Sequence, residues 1–291
     1  MALVTLREVL LPALREGYGV GAFNIYNLET AQAVLQAAYE QSAPVILQAT
    51  AGSLKHAGAR VLAAMVRALA EPLPIPVVLH LDHGESPAMV AECLEAGFTS
   101  VMIDGSGLPF AENAALTREV VAMAHKAGAS VEAELGHVTG RAEDADKRAR
   151  LGITDPSEAF TPPEDAARFA AETGVDALAV AFGTVHGPYK GEPNLDFPRL
   201  EAIHRLVPDL PLVMHGGSGL PLPQLRRAIA SGVAKVNIGT EVKHGWASAL
   251  RQVLQEHPEE TDPRRIMGPT RDSLKAIIAA KIAALGSAGR A

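Results

Sequence analysis

The sequence has little of what exported, nucleic-acid-binding and membrane-bound proteins depend on. Among its 291 residues there is one cysteine, Cys93, so the chain cannot form a disulfide with itself. Aromatic residues make up 4%, and 26 lysines and arginines stand against 33 aspartates and glutamates, which gives a net charge of -7. The missing disulfides favour a reducing cytoplasm. The acidic balance argues against nucleic acid or an anionic membrane as a partner.

The N-terminus lacks the long apolar run of a signal peptide or a membrane span. Residues 1–17 instead form an amphipathic stretch that carries Arg7, Glu8, Arg15 and Glu16. Because 48% of the residues are hydrophobic, the chain nevertheless has ample material for a core. We therefore expect a cytoplasmic globular protein.

Short apolar runs rich in valine, isoleucine and leucine alternate eight times with alanine-rich stretches of helical period. This alternation predicts repeated βα units, with strands buried on both faces of a parallel sheet. Eight units favour an α/β fold of the closed (β/α)8 type, a TIM barrel, over an open doubly wound sheet. The predicted strands are Val20–Asn24, Pro44–Thr50, Pro76–His83, Ser100–Asp104, Ser130–Leu135, Ala177–Gly183, Pro211–Gly216 and Val233–Gly239.

No linker rich in proline or serine divides the chain, which predicts a single domain over residues 1–291. The pattern changes at Trp246, so residues 246–291 are interpreted as a C-terminal helical extension. Within it we expect a surface connection at Glu256–Arg265 and a last helix at Thr270–Leu285. The longest non-periodic segment, Gly136–Pro163, is expected to be either a functional lid or a disordered insertion.

Polar residues gather at the predicted C-terminal ends of the strands, where barrels of this kind build their active sites. His83, His186 and His215 lie at the mouths of strands three, six and seven. One such histidine would more often be structural, but three at equivalent ends favour a catalytic zinc site with an open position. Asp104 and Glu134, which follow strands four and five, are candidates for a second metal position or for hydrogen-bond acceptors behind the ligands.

Asp82 directly precedes His83, and neighbouring residues on a strand point to opposite faces. Both can therefore approach one ligand only if the chain is already leaving the sheet. Beside a divalent metal, a carboxylate can donate and accept protons. The alternative is that Asp82 caps a helix or belongs to a loop.

Two glycine-rich segments, His215–Pro221 and Val236–Glu241, follow strands seven and eight and indicate an anion site. Exposed backbone N–H groups at helix N-termini bind phosphate, and this fold commonly holds phosphate after these two strands. Either segment alone could be a tight turn, but together they favour a phosphorylated substrate. The sequence contains no Walker loop or dinucleotide fingerprint that would indicate a nucleotide.

Eight short segments, in order along nearly the whole chain, carry a family resemblance. They are Gly21–Asn24, His80–Gly84, Ser100–Asp104, Val131–Gly136, His186–Gly191, His215–Ser218, Lys235–Asn237 and Asp262–Arg264. As a set they resemble the class II, zinc-dependent ketose-bisphosphate aldolases. The resemblance implies a (β/α)8 barrel, a homodimer or homotetramer, and reversible cleavage of fructose 1,6-bisphosphate into two triose phosphates, dihydroxyacetone phosphate and glyceraldehyde 3-phosphate.

The resemblance also implies the catalytic groups. The Zn²⁺ ligands would be His83, His186 and His215, with Glu134 and Asp104 marking an alternative metal position. Asp82 would donate a proton to the aldehyde oxygen. After Gly136 the sequence departs from the family, with Ala142 where counting places the family's catalytic glutamate, so Glu143 is the nearest candidate for the base that deprotonates dihydroxyacetone phosphate.

Substrate contacts follow from the same resemblance. The residues implied are Asn24, Ser53, Gly187, Gly216, Gly217, Ser218, Asn237, Ile238, Gly239 and Thr240. A monovalent cation, Na⁺ or K⁺, is expected near the dihydroxyacetone phosphate group. Arg264 is expected at the second phosphate, in some members from a neighbouring subunit, or else to be a solvated surface residue. Lys190 and Lys235 are interpreted as phosphate-binding or structural cations.

Other functions remain open at this stage. Gly239 and the segment Leu108–Asn113 resemble the tagatose-bisphosphate branch, so the preferred sugar is undecided. A non-catalytic subunit of an aldolase is a second possibility, although it would not need a metal site. A zinc hydrolase on the same fold is a third, against which the two glycine-rich segments argue.

Overall fold

The computed structural model describes residues 3–140, 151–153, 155–189 and 191–291. Eight parallel strands close into a barrel in the order of the sequence, which confirms the predicted fold. Each strand begins and ends within three residues of its predicted bounds. The strands are β1 (Val20–Asn24), β2 (Val45–Thr50), β3 (Val77–Gly84), β4 (Ser100–Ile103), β5 (Ser130–Leu135), β6 (Ala177–Val180), β7 (Leu212–Met214) and β8 (Val233–Ile238).

Helices surround the barrel, and several begin at side chains that cap their N-termini. Asn27 accepts a hydrogen bond from the backbone of Thr30, and Ser86 does so from Met89 with Pro87 as the first helical residue. The described helices are α1 (Leu6–Glu16), α2 (Leu28–Glu40), α3 (Ala51–Ala57), α4 (Ala59–Ala70), α5 (Pro87–Ala96), α6 (Phe110–Lys126), α7 (Pro163–Thr173), α8 (Phe197–Leu206), α9 (Leu222–Ala230), α10 (Thr240–Glu256) and α11 (Pro263–Leu285). None of these helices is long and apolar enough to cross a membrane.

The C-terminal region differs from the prediction in two places. Trp246 lies inside α10, so the helix after the last strand continues past the predicted change of pattern. The last helix begins at Pro263 rather than Thr270, because Asp262 caps it and proline suits the first helical turn. The segment expected to be a surface connection therefore supplies the start of α11.

Of the segment expected to form a lid, the structure describes residues 136–140, 151–153 and 155–163. They include a short 3-10 turn at Pro156–Ala159. Glu143, the candidate base, lies outside the described residues.

The barrel interior has two parts. Near the N-terminal ends of the strands the interior is filled by apolar side chains, and α1 covers this end of the barrel. We call this part the lower interior, formed by Leu6, Val9, Leu10, Ala13, Tyr18, Val20, Ala22, Ile46, Val78, Ala177, Ala179, Val213 and Ala234. A separate and larger apolar core packs the outer faces of the strands against the other helices.

Near the C-terminal ends of the strands, the interior is polar. We call this part the polar layer, formed by Asn24, Gln48, His80, Asp82, Glu132, Glu134, His215, Lys235 and Asn237. Each of these side chains is buried. Buried polar groups are costly unless they are hydrogen-bonded, so the layer depends on its internal partners.

Candidate active site

A cavity of about 850 Å³ opens at the C-terminal ends of the strands, directly above the polar layer. The predicted groups that line it come from six separate strand ends, in agreement with the usual position of active sites on this fold. Its lining includes Asp82, His83, Asp104, His186, Gly216 and Asn237. The fold therefore brings together residues that are far apart in the sequence.

The backbone of β3 is irregular where it reaches the cavity. Its pairing with β4 shifts register between Leu81 and Gly84, and His83 has a φ of +51°, which non-glycine residues rarely adopt. Gly84 permits this path, because a Cβ atom there would meet the backbone oxygen of Met102. The irregularity lets Asp82 and His83 both line the cavity, although they are neighbours on one strand.

The three predicted zinc ligands lie together. The ring centroids of His83 and His215 are 4.5 Å apart, and that of His186 is 5.4 Å from the first and 5.8 Å from the second. One nitrogen of each ring lies within 4.8 Å of a nitrogen of the others. A single divalent ion could thus contact all three imidazoles.

The loop after β6 carries His186, and its neighbours hold it against the loop after β7. The backbone N–H of His186 donates to Thr139 O at 2.6 Å, and the hydroxyl of Tyr189 donates to Gly216 O at 2.8 Å. Burial raises the pKa of Tyr189 to about 12, so the phenol keeps the proton that this bond requires. At Gly216 a Cβ atom would meet the backbone of Val185, so only glycine allows the two loops to approach this closely.

The proton positions on His215 suit a metal. Although burial alone would raise the pKa of Glu132, the Lys235 ammonium and the bond to His215 hold it well below its usual range. An ionised carboxylate only accepts, so His215 donates through Nε2 to Glu132 Oε1 at 2.9 Å. With Nε2 as the donor, Nδ1 is the ring nitrogen whose lone pair a metal ion can use.

That nitrogen faces another electron-rich atom. His215 Nδ1 lies 3.3 Å from Oε2 of Glu134, and neither atom has a hydrogen-bond partner among the described residues. Two acceptors buried side by side require a cation or a proton between them. The donor set therefore fits a divalent metal, with Glu132 orienting one of the ligands from behind.

A second group of possible ligands overlaps with the first. His83, Asp104 and Glu134 also have ligand atoms within 4.8 Å of one another. His83 Nδ1 lies 2.9 Å from Asp104 Oδ2 and 3.9 Å from Glu134 Oε2. The structure thus places both predicted carboxylates beside a shared histidine, as an alternative metal position would require.

Side-chain amides surround the carboxylate of Asp82. Asn237 donates to Oδ1 at 3.1 Å, while Gln48 and Asn24 donate to Oδ2 at 3.2 and 3.3 Å. These bonds fix the orientation of the carboxylate at the floor of the cavity. Sequence reasoning did not identify Gln48, although a glutamine within the apolar run of β2 (Val45–Thr50) is a signal that could have indicated it.

The structure separates the predicted substrate contacts into two groups. Seven of them line the cavity: Asn24, Gly187, Gly216, Ser218, Asn237, Gly239 and Thr240. Three do not. Ser53 is buried behind the cavity wall, Gly217 packs against Val236, and the side chain of Ile238 belongs to the outer core.

Of the two lysines interpreted from the sequence as phosphate-binding or structural cations, Lys190 lies outside the described residues. Lys235 is fully buried, as a structural cation would be. Lys243 in the first turn of α10 lines the cavity, and among the described residues it is the only lysine or arginine that does so. Its spacing of four residues from Gly239 would place it over the helix N-terminus. Arg264 is outside the cavity lining, with a side chain 88% exposed and paired to Asp262 at 2.7 Å.

Comparisons with known proteins agree with this geometry. A family model described as fructose-bisphosphate aldolase class-II matches residues 4–290. Fructose-bisphosphate aldolases of Geobacillus stearothermophilus and Staphylococcus aureus are each 44% identical over 294 residues. Both alignments span all of this chain. They cover 99% of the Geobacillus protein and 100% of the Staphylococcus protein. The crystal structure of the YdjI aldolase from Escherichia coli K12 is similar with a TM-score of 0.86 and 32% identity, covering 99% of both chains.

Proposed function

Because this chain belongs to the class II fructose-bisphosphate aldolase family, we propose that its barrel mouth cleaves fructose 1,6-bisphosphate with the help of Zn²⁺. The enzyme is an aldolase, and therefore a lyase. The observation that carries the proposal is the meeting of His83, His186 and His215 with Asp82 in one cavity beside two glycine-rich loops. Tagatose 1,6-bisphosphate, which differs in configuration at one carbon, is the alternative substrate.

The three histidines would hold the zinc ion, with Glu134 and Asp104 serving an alternative position. A zinc ion there supplies Lewis-acid chemistry, since it polarises the ketone oxygen and offsets the negative charge that develops when the carbon–carbon bond breaks. Glu132 keeps the imidazole of His215 in the tautomer that such binding needs. No lysine Schiff base is part of this proposal.

Asp82 would move the proton on the substrate side of the broken bond. In the cleavage direction its carboxylate takes the proton from the hydroxyl that becomes the aldehyde oxygen, and in synthesis it returns that proton. The amides of Asn24, Gln48 and Asn237 hold it for this task. Glu143 remains our candidate for the base that exchanges the proton with dihydroxyacetone phosphate.

The dihydroxyacetone phosphate group would lie between the loops after β7 and β8. Ser218, Gly239 and Thr240 line this side of the cavity, and α10 begins there without a side-chain cap. Helix N-termini of this kind attract phosphate. Lys243 would add a positive charge beside three lining carboxylates, those of Asp82, Glu85 and Asp104. A Na⁺ or K⁺ ion near the phosphate would serve the same purpose.

We further propose that Arg264 reaches the second phosphate of a neighbouring subunit in a homodimer or homotetramer. Its exposure and its absence from the described cavity lining of its own chain support a role in trans over one in cis. Arginine suits the task, because its planar guanidinium binds phosphate oxygens in pairs. The single cysteine supports a cytoplasmic location.

The test is an assay with zinc-loaded protein on fructose and tagatose 1,6-bisphosphates, with triose phosphate release coupled to NADH oxidation. We expect cleavage of the fructose compound at the higher kcat/KM. The reverse preference would identify a tagatose-bisphosphate aldolase. Cleavage of neither sugar would indicate a non-catalytic subunit, and release of inorganic phosphate would indicate a hydrolase.

A further inference from the structure

Lys235 lies inside the polar layer rather than at the surface of the cavity. Its side chain on β8 is completely buried and is absent from the cavity lining. Its ammonium lies 2.7 Å from Oε2 of Glu132 and donates a hydrogen bond of 2.7 Å to Oδ1 of Asn237. This position excludes direct contact with substrate phosphate. It leaves a fully buried cation whose only role described so far is to keep Glu132 ionised.

The two partners of Lys235 lead to two different functional groups. Oε1 of Glu132 accepts the hydrogen bond from His215 at 2.9 Å, and the amide nitrogen of Asn237 donates to Asp82 at 3.1 Å. The ammonium of Lys235 is thus connected to a proposed metal ligand through one side chain, and to the proposed proton-transfer group through another.

We propose that Lys235 is a positioning residue that orients His215 for metal binding and Asp82 for proton transfer at the same time. The inference rests on the proposed function for the roles of these two residues. It differs from a purely structural role, in which Lys235 only neutralises the buried charge of Glu132.

The contact with Asn237 determines which way the amide of that residue faces. An ammonium can only donate, so it selects the amide oxygen and leaves the NH₂ group for Asp82. Without Lys235 the amide oxygen loses this partner, so the amide is free to turn away from the carboxylate. Asp82 would lose one of its three amide donors and keep those from Asn24 and Gln48.

The contact with Glu132 fixes the carboxylate that orients His215. Without the ammonium, Oε2 of Glu132 keeps only a 3.5 Å contact with His80 among the described residues. Burial, with a smaller effect of Lys235, lowers the pKa of His80 to about 3, so this imidazole is neutral and is a poor substitute for a cation. Loss of an orienting partner behind a metal ligand typically lowers metal affinity roughly 10- to 100-fold.

The first variant is Lys235→Met, with two independent readouts. Zinc affinity is measured by competition with a chromophoric chelator, which requires no substrate. kcat and KM are then measured at saturating zinc. We expect zinc affinity to fall roughly 10- to 100-fold and kcat to fall roughly tenfold or more even when zinc saturates the site, while KM changes less than about twofold.

The second variant, Lys235→Met with Glu132→Gln, guards against misfolding, because it removes both buried charges together. The glutamine oxygen can still accept the hydrogen bond from His215, whereas Asn237 still lacks its lysine. We expect this double variant to recover most of the zinc affinity but not kcat. Glu132→Gln alone is the matched control, and thermal unfolding monitors the fold of each variant.

Three results would overturn the proposal. Wild-type zinc affinity and kcat in Lys235→Met would show that the residue positions nothing. If Lys235→Met regains the full kcat at saturating zinc, Lys235 acts only through Glu132 and does not position Asp82. A double variant with the kcat of wild type would leave Lys235 a structural counter-ion. If wild-type protein cleaves neither sugar, the proposed function fails. The zinc affinities still test whether Lys235 orients His215 through Glu132.

Discussion

The two halves of the barrel interior are built on opposite principles. The lower interior is apolar, with alanines at Ala22, Ala177, Ala179 and Ala234, and α1 closes it from water. The polar layer above it buries carboxylates, imidazoles and an ammonium, and within it contacts link His215, Glu132, Lys235 and Asn237 in series. Apolar packing stabilises the fold, while buried charges cost stability unless paired. The same barrel therefore places its stabilising apolar packing near one end of its axis and its chemically active groups near the other.

Removal of the metal should have the largest effect on activity, and it should act through the cavity above the polar layer rather than through the lower interior. Exhaustive chelation is expected to abolish cleavage, because the proposed mechanism relies on the metal to offset the charge on the ketone oxygen. Zinc or cobalt should restore it. The measurement is the coupled assay, with elemental analysis to verify that the metal has gone. Full activity in verified metal-free protein would contradict the account.

Substitution of a buried aspartate at each end of the barrel compares the two halves directly. Asp82→Ala should lower kcat roughly 10²- to 10⁴-fold through loss of proton transfer, with zinc content nearly unchanged. Asp176 is the matched control at the N-terminal end, where it pairs with Arg7 and His125. Asp176→Asn should lower stability by about 1–3 kcal/mol and leave kcat unaltered. An equal loss of kcat in both variants would remove the distinction.

Two residues on β2 give the same comparison within one strand. Ile46 belongs to the lower interior, and Gln48 belongs to the polar layer. Ile46→Ala should cost about 2–5 kcal/mol of unfolding free energy, with kcat/KM unchanged below the unfolding transition. Gln48→Met should instead lower kcat with a smaller loss of stability. Urea unfolding and steady-state kinetics are measured on both variants. Equal losses of stability and of kcat in the two would show that the lower interior and the polar layer do not differ in role.

Arg264 and Lys243 test the proposed phosphate contacts, which lie outside both halves. Arg264→Ala should raise KM for the bisphosphate roughly tenfold or more, with little effect on a ketose 1-monophosphate. Lys243→Met should raise KM for both substrates. Mixing Arg264→Ala with Asp82→Ala should regain activity in hybrid oligomers, since one site then has both intact residues. Selective loss without such complementation would place Arg264 in cis.

The pH dependence of stability should reflect one buried imidazole of the polar layer, that of His80, and leave the chemistry at the cavity aside. Burial lowers the pKa of His80 to about 3, from about 6.5 in the unfolded chain. Between these values only the unfolded chain binds the proton, so stability should fall by about 1.4 kcal/mol per pH unit as pH decreases below 6.5. His80→Gln should reduce this slope, whereas the same change at the exposed His257 controls for loss of an imidazole. An unaltered slope in His80→Gln would contradict this assignment.

The sequence predicted the barrel and the histidine cluster well, because both depend on patterns that are local in the chain. Apolar runs marked the strands, and the polar residues at or just after the ends of these runs identified His83, His186 and His215. The start of α11 was missed, since a proline such as Pro263 can equally end a helix or begin one. The place of Asp82 beside His83 suggested proton transfer, and the family resemblance favoured that role over a helix cap or a loop residue.

The contacts of the polar layer could not be predicted in the same way. Gln48, Glu132 and Lys235 are far apart in the sequence, and only strand register brings them together. The left-handed backbone at His83 is likewise a consequence of packing against β4, which no local signal reveals. Lys243 was missed because its distance from the substrate loops is set by the path of α10.

The most direct test of the account is an anomalous difference map collected at the zinc absorption edge from crystals grown with zinc. We predict a peak among the three histidines, with one nitrogen each of His83, His186 and His215 about 2.0–2.1 Å away. A weaker peak beside Asp104 and Glu134 would mark the alternative position. A map without a peak at these histidines, from protein that cleaves the bisphosphate, would contradict the central claim.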